Sequence, residues 1–182
     1  MGGSLRCASG SSMDRKGKRM GIHRHLDDML PFSHRRDWNE LELHYQHLAV
    51  ELAGSTLTSR ISDVNLNSYE LALQVGIGRA LHKAGELSAK AVYFEYDLDN
   101  NWRSHFFICP TYSPLSVGDD DWACEWLATI EGPSQPDLGQ LYSSKFDRPD
   151  SVLGSTLYLV ARTVAAFGRS STSATTSRWK RP

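Results

Sequence analysis

Lys90–Cys109 reads KAVYFEYDL, DNN, WRSHFFIC: two strand-like runs around a polar break. Two hairpin registers compete for it. A two-residue loop sets Phe94 opposite His105 and Val92 opposite Phe107, mixing polar with apolar. A three-residue loop, Asp99-Asn100-Asn101, sets Val92 opposite Ile108, Phe94 opposite Phe106, Tyr96 opposite Ser104 and Leu98 opposite Trp102. The other face then pairs Glu95 with His105 and Asp97 with Arg103. Each such cross-strand pair is worth a few tenths to about 1 kcal/mol, so several of them select the three-residue loop. Asn101 suits its left-handed position. A one-residue slip would exchange the two faces.

Working outward, Asp37–Ala53 carries one apolar stripe of Trp38, Leu41, Tyr45, Leu48 and Leu52, which predicts a helix. Asp37 and Glu40 are placed as a capping box, and Gly54 as the closing residue. Asn67–Leu87 predicts a second helix with two stripes: Leu73, Ile77, Ala80, Ala84 and Leu87, and Leu71, Val75 and Gly78. Two stripes imply burial around much of the circumference. Gly76-Ile77-Gly78 lacks the third glycine of a phosphate loop and reads as a point of close approach.

Beyond the hairpin, Pro110 and Pro114 mark a loop. Asp119-Asp120-Asp121 opens a predicted short helix on which Trp122, Trp126 and Ile130 share a face. Asp137–Tyr142 reads as a helical turn. A last helix runs from Asp150 or Ser151 to Phe167 and ends at Gly168; Leu157–Val160 is also strand-like, and length favours the helix. A hairpin alone is marginal, so a third strand is expected, from Leu57–Val64 or near Tyr142–Phe146. The expected fold class is α+β, with helices packed on one face of a small antiparallel sheet containing the 90–109 hairpin.

The charge is unevenly distributed. Residues 26–168 hold 20 acids and 10 Lys/Arg, whereas the whole 182-residue chain totals −1. Residues 1–25 are read as a disordered basic tail and 169–182 as a disordered, Ser/Thr-rich basic tail, leaving 26–168 as a single domain. Two readings of the first tail stand: translation starts at Met20, or a basic arm touches nucleic acid weakly. An acidic body repels nucleic acid and anionic membrane and attracts cationic partners. No apolar run reads as long enough to span a bilayer, and no secretory h-region follows the basic start. Cys7, Cys109 and Cys124 are odd in number and lack metal-like spacing, which fits a reducing, cytoplasmic setting.

No recognised catalytic motif appears, and no cofactor is implied. Asp97, Asp99 and Asn101 begin like a calcium loop, but Trp102 and Ile108 stand where that loop needs Gly and Glu. The main candidate site is an acidic and aromatic patch: Asp119, Asp120, Asp121, Trp122, Glu125 and Trp126, with Glu95 and Asp97. Unrelieved repulsion among its acids invites a cation, and large aromatics beside an acidic rim suit a partner's Lys or Arg. The alternative is a small hydrolase using His105 oriented by Glu95, or a metal enzyme using the 119–125 acids.

In architecture and composition, the chain resembles the small acidic immunity proteins of bacterial toxin systems. The segment on which this bears most is 91–126, AVYFEYDLDNNWRSHFFICPTYSPLSVGDDDWACEW, about a fifth of the chain. The resemblance implies a non-catalytic binding module that covers a basic toxin through Glu95, Asp97, Asp119, Asp120, Asp121, Trp122 and Glu125.

Overall fold

The hairpin adopts the three-residue-loop register. Strands β1 (Ala91–Asp97) and β2 (Arg103–Cys109) pair Val92 with Ile108, Phe94 with Phe106, Glu95 with His105 and Asp97 with Arg103. Asn101 takes the expected left-handed backbone at φ 55°, and Trp102 shares it, also at φ 55°. That conformation is costly for a bulky residue, by roughly 1–3 kcal/mol. Trp102 offsets the cost by complete burial. Its Nε1 also donates to Thr163 Oγ1 at 2.8 Å.

The structure, a computed structural model, describes residues 22–114, 121–143 and 149–178. Six helices and a three-stranded antiparallel meander make up the described α+β fold. The helices are α1 (Ile22–Arg35), α2 (Trp38–Ala53), α3 (Ser55–Ser62), α4 (Asn67–Glu86), α5 (Pro136–Ser143) and α6 (Pro149–Arg178). The third strand, β3, is Ala128–Glu131, and it lies beside β2. Of the expected third-strand candidates, Leu57–Ser62 lies in α3 and Tyr142 lies in α5, while residues 144–146 lie outside the described residues. The helix expected from Asp119 is corrected too. A 3-10 turn, Asp121–Cys124, replaces it, and Ile130 belongs to β3. Spacing of i, i+4, i+8 mimicked a helical face, while the strand is too short to display its own alternation.

Helix α6 is the hub. Leu157, Leu159, Ala161, Thr163, Ala165 and Ala166 are all fully buried. Helix α2 lies antiparallel along it. A Cβ on Gly154 would meet Leu52 Cβ at 2.7 Å, and one on Gly168 would meet the Trp38 indole at 2.4 Å. The two contacts are separated by the same fourteen residues on each helix, so the glycines let the two axes stay close along four turns. Gly168 therefore does not end the helix as expected. It is an interior close-packing point, and α6 continues to Arg178. The basic tail expected from residue 169 is corrected accordingly at its start: Arg169 and Ser170 are part of α6, and Ser170 is fully buried. The tail expected up to residue 25 likewise overlaps α1, which begins at Ile22. By length and composition α6 could cross a bilayer over Asp150–Ser173, contrary to the expectation that no run could, with 72% of its most apolar window buried inside this fold.

Buried charge joins α6 to its neighbours. Arg162 donates from Nη1 to the Ile61 carbonyl and from Nη2 to the Val64 carbonyl at 2.9 Å, satisfying the open end of α3. Arg169 reaches Glu42 of α2 at 2.8 Å and Glu70 of α4 at 2.6 Å. The inner face of the sheet completes the core. Phe94 stacks on Phe167 at 4.5 Å and lies 4.9 Å from Phe106.

Two helix details differ from expectation. Asp37 makes no side-chain cap bond to α2, although Gly54 closes that helix at φ 85°. On α4 only the Leu73, Ile77 and Ala80 stripe is buried; Leu71 and Val75 are 63% and 58% exposed.

Candidate functional site: the outer face of the sheet

Strand alternation turns Tyr93, Glu95 and Asp97 of β1 away from the helices. Arg103, His105 and Phe107 of β2, with Thr129 and Glu131 of β3, share that outer face through the observed register. The end near the hairpin turn is charged and the opposite end is aromatic. Among the described residues, no helix packs on this face.

The aromatic end is built in layers. Tyr93 and Phe107 are direct cross-strand partners, with ring centroids 6.1 Å apart. After β2 the chain leaves at Pro110 and returns through the 3-10 turn to enter β3. That return sets the Trp122 ring edge-on to Tyr93 at 6.3 Å and to Tyr112 at 5.2 Å. Trp126 lies 5.0 Å from Phe107. Tyr112, Trp126 and Leu127 remain 59%, 37% and 50% exposed. Burial, with the nearby Glu95 carboxylate adding to it, pushes the Tyr93 phenol up, so it stays a neutral donor.

At the charged end the pairing differs from expectation. Arg103 Nη2 donates to Glu131 Oε1 at 3.3 Å across to β3, and not to Asp97. Asp97 Oδ1 instead accepts the Asp99 amide at 3.0 Å, holding the turn. Glu95 and His105 are opposite each other in register, and both are exposed.

Of the residues singled out from sequence, Glu95, Trp122 and Trp126 are brought to one surface with Asp97 at its charged end. Glu125 is exposed between the tryptophans in the chain. Asp119 and Asp120 lie outside the described residues, and Asp121 begins the 3-10 turn. Tyr93, Phe107 and Tyr112 were missed. The first two could have been found, because the hairpin register places both on the charged face.

For the hydrolytic reading of His105, the neighbouring hydroxyl is not beside it. Ser104 points to the opposite face, where its Oγ donates to the Pro133 carbonyl at 2.6 Å. The described cavities lie elsewhere: about 520 Å³ between α4 and the end of β3, and about 300 Å³ between β1 and α6. Among the described residues no three His, Cys, Asp or Glu side chains group as metal ligands. Cys109 is a buried free thiol whose pKa burial raises, away from thiolate chemistry.

Comparison with protein-family models, with curated proteins and with solved structures finds no match to this chain.

Proposed function

We propose that this chain is a non-catalytic protein-binding module that docks a basic protein partner on the outer face of its sheet. One observation carries the reading: five aromatic rings, Tyr93, Phe107, Tyr112, Trp122 and Trp126, sit together on a solvent-facing sheet surface. Aromatic clusters of this kind are the usual anchors of protein interfaces. Glu95, Asp97 and Glu125 supply negative charge around it, with Asp119, Asp120 and Asp121 preceding Trp122 in the chain. Residues 22–178 hold 20 acids against 13 Lys/Arg, so the long-range field also favours a cationic partner. In this reading the aromatics supply affinity and the acids supply association rate and choice of partner. A toxin neutralised by being covered is the partner class that fits, in keeping with the immunity-protein resemblance.

The test uses the product of the adjacent gene, purified separately, and titrates it against the wild-type chain by calorimetry. The double variant Trp122→Ala/Trp126→Ala is expected to weaken binding at least about 30-fold, from about 2 kcal/mol or more of lost anchoring. Replacing Asp119, Asp120 and Asp121 by Ala is expected to slow association and flatten its salt dependence. A bound partner indifferent to both variants would remove the outer face from consideration.

A further inference from the structure

Strand β1 is an open edge of the sheet, paired with β2 alone among the described residues. The direction of its free backbone groups follows from β2. The Ser104 carbonyl accepts the Gly132 amide just after β3 at 2.8 Å, and the Ile108 carbonyl accepts the Leu127 amide just before it at 2.7 Å. Ser104, Phe106 and Ile108 therefore turn their backbone groups to β3, and His105, Phe107 and Cys109 turn theirs to β1. The Cys109 carbonyl agrees, accepting the Lys90 amide at 3.0 Å. Through the register, Tyr93 and Glu95 direct their amides and carbonyls at β2, while Val92, Phe94 and Tyr96 direct theirs to the open edge. The side chains of those same three residues are half-buried on the inner face, and with Val164 and Phe167 of α6 they line the groove of about 300 Å³. Glu95 and Asp97 alternate with them and stand exposed on the outer face. Arg103, opposite Asp97 in register, is paired with Glu131 instead.

We infer that the basic partner adds an extended segment to β1 as a further strand, in which apolar side chains alternate with Lys or Arg. The inference rests on the reading of the outer face as the docking surface of a basic protein, and it names how that partner is held. Neighbouring strands keep opposed side chains on the same face. The added residue opposite Phe94 therefore points into the groove, and its neighbours in the segment stand beside Glu95 and the outer aromatic rings. Backbone bonds to Val92, Phe94 and Tyr96 supply affinity whatever the sequence, while the groove and the two carboxylates select the alternation. The same features reject a second copy, because β1 laid against β1 sets one acidic strand beside another. The chain's own basic start does not fit either: it runs Arg15-Lys16-Gly17-Lys18-Arg19, without apolar side chains between the charges.

The experiment follows backbone amides of the full chain by NMR during titration with a capped peptide of seven residues, the length of β1, in which lysine alternates with valine. Near saturation the peptide is expected to slow hydrogen exchange at the Val92, Phe94 and Tyr96 amides about 10-fold or more. A peptide alternating lysine with serine keeps the charge without the apolar side chains and is expected to leave those amides unprotected. Glu95→Lys, at an exposed position, is expected to weaken the lysine–valine peptide several-fold and to favour one alternating glutamate with valine. The spectrum of the variant confirms that it is folded. Unprotected Val92, Phe94 and Tyr96 amides under the lysine–valine peptide overturn the inference. So does equal protection by the lysine–serine peptide, or a folded Glu95→Lys chain that keeps the original preference. The tryptophan test stands apart from this one. Absent protection, with the adjacent-gene product still weakened by Trp122→Ala/Trp126→Ala, removes the added strand and leaves the docking face. Protection at the three amides, with a partner indifferent to the tryptophans, removes the docking face and leaves β1 as a strand-accepting edge.

Discussion

Arg169 Nη2 lies 2.6 Å from Glu70 Oε1, so the last helix is tied by charge to α4 as well as packed against it. The same guanidinium reaches Glu42 of α2 at 2.8 Å. Burial works against the charged form of Arg169, but the carboxylates of Glu70 and Glu42 outweigh it and hold the guanidinium above its ordinary range. Arg169→Ala leaves Glu70 without its cation and Glu42 with only the more distant Arg162, whose Nε lies 4.0 Å away. It should lower the unfolding free energy by roughly 3 kcal/mol, since breaking such a pair costs more than the pair is worth. Urea denaturation measures this, and a change within about 0.5 kcal/mol would show that the ion pairs are dispensable.

Two glycines on α4 should respond to alanine with opposite signs. At Gly76 a Cβ would lie 2.7 Å from the Phe106 ring, and at Gly78 it would meet nothing within 4 Å. Gly78→Ala should stabilise by about 0.5–1 kcal/mol through helix propensity alone. Gly76→Ala should destabilise by about 1–3 kcal/mol, because Phe106 is fixed between α4 and the sheet. Thermal unfolding of the two variants side by side checks the difference in sign.

The bond between Trp102 and Thr163 can be broken without changing shape. Thr163→Val keeps the volume but leaves the buried indole N–H without its acceptor. The expected cost is about 1–3 kcal/mol. Hydrogen exchange at the indole nitrogen should accelerate as well, which simple loss of stability elsewhere would not produce first.

Alkaline pH should unfold the protein through buried phenols. Burial, with the Asp28 carboxylate adding to it, pushes Tyr45 up to about 12 from 10.0, and burial raises Tyr69 and Tyr96 as well. A raised folded-state pKa means the folded form holds its proton longer. Its stability is therefore intact below pH 10 and declines as pH climbs through the folded value. For Tyr45 that window runs from 10.0 to about 12, and its loss is on the order of 2 kcal/mol. Urea titrations across the window should show a shallower decline for Tyr45→Phe than for wild type. Identical slopes would exclude Tyr45 as a contributor. The variant also loses the Tyr45 hydroxyl bond to the His25 carbonyl, so its stability at neutral pH should start lower.

How much of this was legible in the residues depends on whether the information was local. The hairpin register was readable because polar-apolar mismatch penalises every wrong pairing at once. The buried stripes of α2 and α4 were readable from periodicity. Strand β3 was not, since four residues cannot establish an alternation against a competing helical spacing. Gly168 read as a stop because only its partner, Trp38, more than a hundred residues earlier, shows that the position needs a missing side chain. The Ser/Thr tract after it looked like a solvated tail, yet Ser170 Oγ donates to the Glu70 carbonyl from a buried position. For the candidate site, Trp122, Trp126 and Glu125 stood out through composition. Tyr93 and Phe107 follow from the hairpin register, but only the charged pairs of that face were read as site residues.

The position of α6 at the centre of the fold also constrains how the molecule is made. Its bonds to earlier elements close loops of 96 residues from Ser62 to Tyr158, 101 from Ile61 to Arg162 and 99 from Glu70 to Arg169. During synthesis α2, α3 and α4 leave the ribosome with their apolar faces bare and must wait for α6. Long closures of this kind slow folding. The interval before α6 emerges is when a nascent copy is most exposed to aggregation and most dependent on chaperones.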